Sequence, residues 1–156
     1  MNIKTIAEGL SAKFEISELE IKQDEIHLEI DDVAVVIREA GEIFILMGVI
    51  GLFPADGNDA FAKVLLENNM TLFNLKATVF ALNSQTEEYL LLERITKNDA
   101  YDFESFCDCL GKFMDSLERW RGMHKDFLLV STEAKDQLKT KNDEAVNAMR
   151  YTYLRV

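Results

Sequence analysis

The sequence predicts an α+β domain, a mostly antiparallel twisted sheet packed by helices in the order α-β-β-β-α-β-β-α. Three features point there. Apolar residues recur at helical spacing in three separate stretches, β-branched segments of strand length lie between them, and the connections are short. From Ile3 to Phe14 the positions Ile3, Ile6, Ala7 and Leu10 form one stripe, giving a short amphipathic helix. "EIHLEI" then alternates Ile26, Leu28 and Ile30 with Glu25, His27 and Glu29, a strand with one dry and one wet face. Asp31-Asp32 turns the chain into "VAVVIR" (Val33 to Arg38), and "EAGE", with Gly41 free to take a positive φ, turns it again.

The third strand, Ile43 to Ile50, does not alternate. Ile43, Phe44, Ile45, Leu46 and Met47 put apolar groups on both faces, as a central strand covered on both sides would. A helix of the same domain covers one face; a second helix, a partner subunit or a client covers the other. Gly51-Leu52-Phe53-Pro54 and "ADGN" lead to Asp59, an N-cap for "AFAKVLLENNM". That helix carries one stripe of Phe61, Val64, Leu65 and Asn68 and another of Ala62, Leu66 and Met70, so it is buried on more than one side. "LKATVFAL" (Leu75 to Leu82) and "YLLLERI" (Tyr89 to Ile95) form a hairpin. The longest helix runs from near Asp99 to about Met123 with Phe103, Phe106, Cys107, Leu110, Phe113, Met114, Leu117 and Trp120 facing the core.

Charge divides the chain at about residue 130. Of a net −11, residues 131–156 hold five cations (Lys135, Lys139, Lys141, Arg150, Arg155) against four carboxylates, leaving that tail +1 and the rest −12. Residues 1–130 read as the domain and 131–156 as a C-terminal appendage, helical or partly flexible. The acidic surface repels phosphate backbones and anionic lipid, so neither nucleic-acid binding nor membrane insertion is expected. The Ile43–Phe53 run is far shorter than the ~20 residues of a membrane helix, and "MNIKTIAEGLSAKF" has no long apolar core of a signal peptide. Cys107 and Cys109, two apart on a helix, point to opposite sides and cannot bridge each other. A cytoplasmic protein is expected.

No chemistry of catalysis emerges. The two histidines, His27 on a polar strand face and His124 at the end of the long helix, have no ligand partner at metal-binding spacing. Cys107 reads as a small core residue, and Cys109 has no activating partner. Phosphate-binding glycine loops and nucleophile elbows are missing. "DDVAVV" and "ADGND" lack the spacing of a calcium loop. Asp102, Ser105 and Cys109 read as a wetted helix flank, and Trp120 as a core-edge residue. The expectation is a binding protein, not an enzyme, with no cofactor and no metal.

The element order in a small acidic chain resembles the class I type III secretion chaperones, the Tir-chaperone-like family. "MGVIGLFPADGNDAFAKVLLENN" (Met47 to Asn69) is similar to that family's third strand, its G-x-[FL]-P exit and its A-x-x-[LIV]-L-x-x-N helix. "EEYLLLERI" and the long helix ending "LERWRG" match in kind and position, so the likeness covers roughly residues 3–125. It implies a bacterial homodimer that binds the N-terminal chaperone-binding segment of one or more secreted effectors in extended form. It also implies delivery to the secretion apparatus and its ATPase. Client grooves in the family involve the first helix and the adjoining sheet, pointing to Ile3, Ile6, Leu10, Val35, Ile37, Phe44 and Leu46. The dimer interface, built from the second helix and the strand after it, points to Phe61, Val64, Leu65, Asn68, Val79 and Phe80. The alternative is a non-enzymatic adaptor or regulatory domain that binds a folded partner.

Overall fold

A computed structural model of the chain describes residues 1–15, 19, 21–53, 60–72, 78–100 and 102–153, of which 71, 72 and 131–153 are described as backbone only. The elements are α1 (Ile3–Lys13), β1 (Ile21–Lys22), β2 (Glu25–Ile30), β3 (Val33–Ala40), β4 (Ile43–Leu52), α2 (Ala60–Leu72), β5 (Thr78–Asn83), β6 (Glu88–Thr96) and α3 (Phe103–Tyr153). This is the expected α+β order with one short strand, β1, added in front. The expected N-cap at Asp59, the Pro54 exit and the start of the fifth strand at Leu75 lie outside the described residues. The chain divides into two compact units, Met1–Arg121 and Gly122–Val156.

The six strands form one antiparallel sheet in the order β1-β2-β3-β4-β6-β5. Tight turns set its register. Gln23-Asp24 and Asp31-Asp32 each place two successive residues at positive φ (51°, 63° and 50°, 61°), the conformation of a two-residue hairpin whose twist matches its strands. Gly41, at φ 61°, turns β3 into β4.

Strand β4 lies at the centre, and its side chains divide by parity. Phe44, Leu46, Gly48 and Ile50 are buried, whereas Ile43, Ile45, Met47 and Val49 are half-buried. The buried set belongs to a face that also carries Ile26, Leu28, Val33, Val35, Ile37, Leu91 and Ile95, all buried. Helices α1 and α3 cover it. Ile3, Ile6, Ala7 and Leu10 of α1 are buried, as are Phe106, Leu110, Phe113 and Leu117 of α3. Phe106 meets Phe44 edge-to-face with centroids 5.8 Å apart. Gly48 permits the close approach of α3, because a Cβ there would collide with the side chain of Leu117.

The N-terminus of α1 is fixed twice. Asn2 Oδ1 accepts the Thr5 amide at 3.0 Å, and Glu39 of β3 accepts the Ile3 amide at 2.8 Å while binding Lys97 Nζ at 2.5 Å. Burial alone would push the Glu39 carboxyl up; Lys97 and the Ile3 amide more than offset that and hold it below the ordinary carboxylate range. At the other end Phe14 donates its amide to Leu10 O at 3.0 Å, and Glu15 (φ 55°) leaves the helix.

Helix α3 continues to Tyr153, where the sequence suggested a break near Met123. No proline interrupts it, and Gly111 and Gly122 each lower helix preference by only about 1 kcal/mol. Trp120 packs edge-on against Phe80 at 4.5 Å, the expected core-edge position.

Candidate functional site

Three surfaces of unit 1 are candidates for holding a partner, and the sheet register defines each. The first is the outer edge of β2. Its hairpin with β3 closes at the Ile30–Val33 pair, so Ile26, Leu28 and Ile30 exchange backbone hydrogen bonds with β3. By the same alternation the N–H and C=O groups of His27 and Glu29 point away from β3. Strand β1 pairs only with Glu25 and Ile26, and among the described residues nothing pairs with the outer edge from His27 to Ile30. Beside that edge lies a cleft of about 300 Å³ lined by Phe14, Leu28, Glu29, Ile30 and Asp31. Phe14, carried there by the end of α1, is 50% exposed. An unpaired strand edge beside an apolar cleft with an exposed phenyl ring can accept an added strand, its alternate side chains entering the cleft.

The second surface is at the opposite edge. Strand β5 is outermost there, yet its outer edge is occupied at Phe80. The Phe80 amide donates to Asn69 Oδ1 at 2.8 Å and its carbonyl accepts from Asn69 Nδ2 at 3.0 Å, so one α2 side chain stands in for a neighbouring strand. Phe61 and Leu65 are buried, Phe61 stacking edge-on against Tyr89 at 5.3 Å. Outside them Leu66 (61%), Met70 (79%) and Leu82 (51%) form an exposed apolar tract, with a small crevice between α2 and β5.

The third is the sheet face opposite α1 and α3. Cross-strand pairing places Val36, Met47, Leu92 and Val79 in one row, and Arg38, Ile45 and Arg94 in the next. The ring contacts described above fall on the other face.

Of the residues that the resemblance assigned to client binding, Ile3, Ile6, Leu10, Val35, Ile37, Phe44 and Leu46 are all at most 4% exposed. They come together, but as the core between α1, α3 and the sheet, with no surface to offer while α1 stays in place. Their strand neighbours, one residue along, face the open side. Of those assigned to the dimer interface, Phe61, Leu65 and Phe80 are buried, Val64 and Asn68 half-buried, and Val79 42% exposed. Asn68 turns its side chain to its own helix at Val64 O (2.8 Å), leaving its neighbour Asn69 to reach β5. Phe14, Asn69, Leu66, Met70 and Leu82 were not singled out as site residues. The double apolar stripe of α2 pointed to Leu66 and Met70, whereas nothing local marks Phe14 or Asn69.

Burial pushes both the Cys107 and Cys109 thiols up, so neither is a thiolate at neutral pH. Among the described residues no cluster of His, Cys, Asp and Glu is placed to hold a metal, and no helix is long and apolar enough to cross a membrane.

The model of the Tir chaperone protein (CesT) family matches residues 5–121, nearly the whole of unit 1. The chain belongs to that family. It is accordingly a chaperone of the type III secretion, effector-binding class. Solved structures agree in fold. The HopA1–SchA chaperone–effector complex contains a chain 18% identical, with a TM-score of 0.60 over 76% of this chain and 92% of that one. The ExsC–ExsE complex gives 18%, 0.63, 78% and 95% in the same terms. The heterodimeric ExoU–SpcU complex from the Pseudomonas aeruginosa type III secretion system gives 13%, 0.52, 75% and 95%. No curated protein matches the sequence. The family match ends at residue 121, so the second unit, Gly122–Val156, lies beyond it.

Proposed function

We propose that the chain is a homodimeric, non-enzymatic chaperone of the bacterial cytoplasm. It holds the N-terminal chaperone-binding segment of one or more secreted effectors in extended form and presents it to the secretion apparatus and its ATPase. The observation that carries this reading is the outer edge of β2 from His27 to Ile30, unpaired among the described residues, beside the Phe14 cleft. Main-chain hydrogen bonds there hold an unfolded segment without demanding a particular sequence, and the cleft selects every second side chain. Client contact is assigned to Phe14 and Ile30, with Leu28, itself buried, forming the floor of the cleft. Ile3, Ile6, Leu10, Val35, Ile37, Phe44 and Leu46 support it from the core, because burial keeps them from touching a client directly.

The second copy covers the tract formed by Leu66, Met70 and Leu82, with Val79 beside it on the other face of β5. Val64 and Asn68 lie at its margin, and Phe61, Leu65 and Phe80 brace it from beneath. Exposed side chains of this size in one tract are what a self-complementary interface hides.

Co-expression with the N-terminal segment of an effector from the same bacterium tests the reading. Light scattering is expected to give two copies of this chain with one segment, and the segment is expected to be protease-sensitive when released. A strictly monomeric chain at micromolar concentration, or a partner that stays globular in the complex, overturns it. Leu66→Asp combined with Met70→Asp is expected to give a folded monomer; a folded dimer would move the interface elsewhere.

A further inference from the structure

The charge around the β2 cleft is uncompensated, and this bears on what the cleft binds. Glu15 follows Phe14, Glu29 sits on the edge itself, and Asp31 and Asp32 form the adjoining turn; all four are exposed. None of the four has a cationic partner among the described residues. Two cations of the neighbouring elements are engaged by other carboxylates: Lys13 pairs with Glu104 at 3.8 Å, and Arg38 pairs with Glu25, which also lies 3.3 Å from His27 Nε2. The edge therefore joins an apolar cleft to a rim of unneutralised negative charge. Alternation sends the side chains of Leu28 and Ile30 to one face of β2 and that of Glu29 to the other, while Glu29 and Asp31 also line the margin of the cleft.

Resting on the proposed function above, we infer that the β2 edge selects a client strand in which large apolar residues alternate with Lys or Arg. The apolar residues enter between Phe14, Leu28 and Ile30. The intervening cations lie beside Glu29, at the cross-strand spacing where opposite charges attract, and a cation at the strand end meets Asp31 and Asp32. Glutamate at the same client positions faces like charge. A single surface ion pair contributes little, but several acting together shift affinity by about tenfold or more and lose that advantage in salt.

The test uses the full-length chain and two synthetic peptides, capped at both ends, that alternate Val and Ile with either Lys or Glu. Binding is followed by fluorescence anisotropy, and its place by amide hydrogen exchange at His27 and Glu29. The Lys peptide is expected to slow exchange at Glu29 and to bind at least about tenfold more tightly than the Glu peptide at low salt. The triple variant Glu29→Gln, Asp31→Asn, Asp32→Asn is expected to erase most of that difference; asparagine tolerates the positive φ of the turn. A control triple on α3, Asp108→Asn, Asp115→Asn, Glu118→Gln, removes equal charge and is expected to leave it intact. Equal protection of the edge by both peptides, or an equal effect of the two triples, overturns the inference while leaving strand addition standing. Failure of both peptides to protect β2 overturns strand addition at this edge and the inference with it.

Discussion

At one margin of the sheet a single asparagine takes both outward backbone groups of Phe80, while at the other margin the outward groups of His27 and Glu29 meet no described strand. An exposed strand edge is a template for any extended chain, and soluble proteins blunt it with charge, short strands or a covering element. Here the β5 edge is covered by α2, and the β2 edge is charged and only partly shielded by β1. The difference separates two tasks. The covered edge lies beside the Leu66–Met70–Leu82 tract proposed for the second copy, where a stray strand would compete with assembly. The open edge lies beside the cleft proposed for the client.

The largest test of this contrast uses proline. Leu28 pairs with β3, so Leu28→Pro removes a ladder hydrogen bond and is expected to cost about 3 kcal/mol or more, seen as a collapse of the urea midpoint. Glu29 points its amide outward, so Glu29→Pro is expected to stay within about 1 kcal/mol of the parent while strand addition is lost. Similar damage from both substitutions would mean that the outward assignment of Glu29 is wrong.

A smaller effect is expected at the covered edge. Asn69→Ala strips Phe80 of two partners and is expected to cost about 1–2 kcal/mol and to promote self-association in light scattering. Asn68→Ala, which loses only a bond to its own helix, is expected to cost about 0.5 kcal/mol or less. Equal costs would mean that Asn69 does not close the edge.

A pH-dependent effect concerns the wall of the cleft, since α1 carries Phe14. Glu39, which anchors the start of that helix, has its carboxyl held below the ordinary 4.5 in the fold. A lowered folded value means that its contribution is fully present above about pH 4.5 and is lost as pH falls through the folded value. Glu39→Gln is therefore expected to lower stability at pH 7 by about 1 kcal/mol and to converge with the parent in strong acid. An unchanged gap at pH 7 and in acid would detach the α1 anchor from the Glu39 charge.

Much of the fold can be read from periodicity. The stripe of Phe106, Leu110, Phe113 and Leu117 identifies the core face of α3, and the unbroken apolar run in β4 identifies a central strand that is apolar on both faces, one buried and the other half-buried. Which parity faces the helices cannot be read there, because both parities are apolar, and a shift of one residue exchanges them. That is why Phe44 and Leu46, assigned to client contact from the family likeness, are core residues, while Ile45 and Met47 face the open side. Phe14 looks like the end of a helix and Asn69 like half of a polar pair. Their roles depend on where α1 ends beside β2 and where α2 meets β5, and those are tertiary facts. Strand β1, at two residues, is too short to have a period at all.

The paired positive-φ turns have one more consequence. They fix, from within the chaperone, which amides at the open edge are offered, and those recur at every second residue, about 7 Å apart. An extended guest can therefore slide along this edge in steps of two residues and keep each side chain on its proper side. Deleting one residue from the guest would turn its greasy positions toward the acidic rim, and deleting two would not. Clients with no common sequence could share the edge if they kept the same beat.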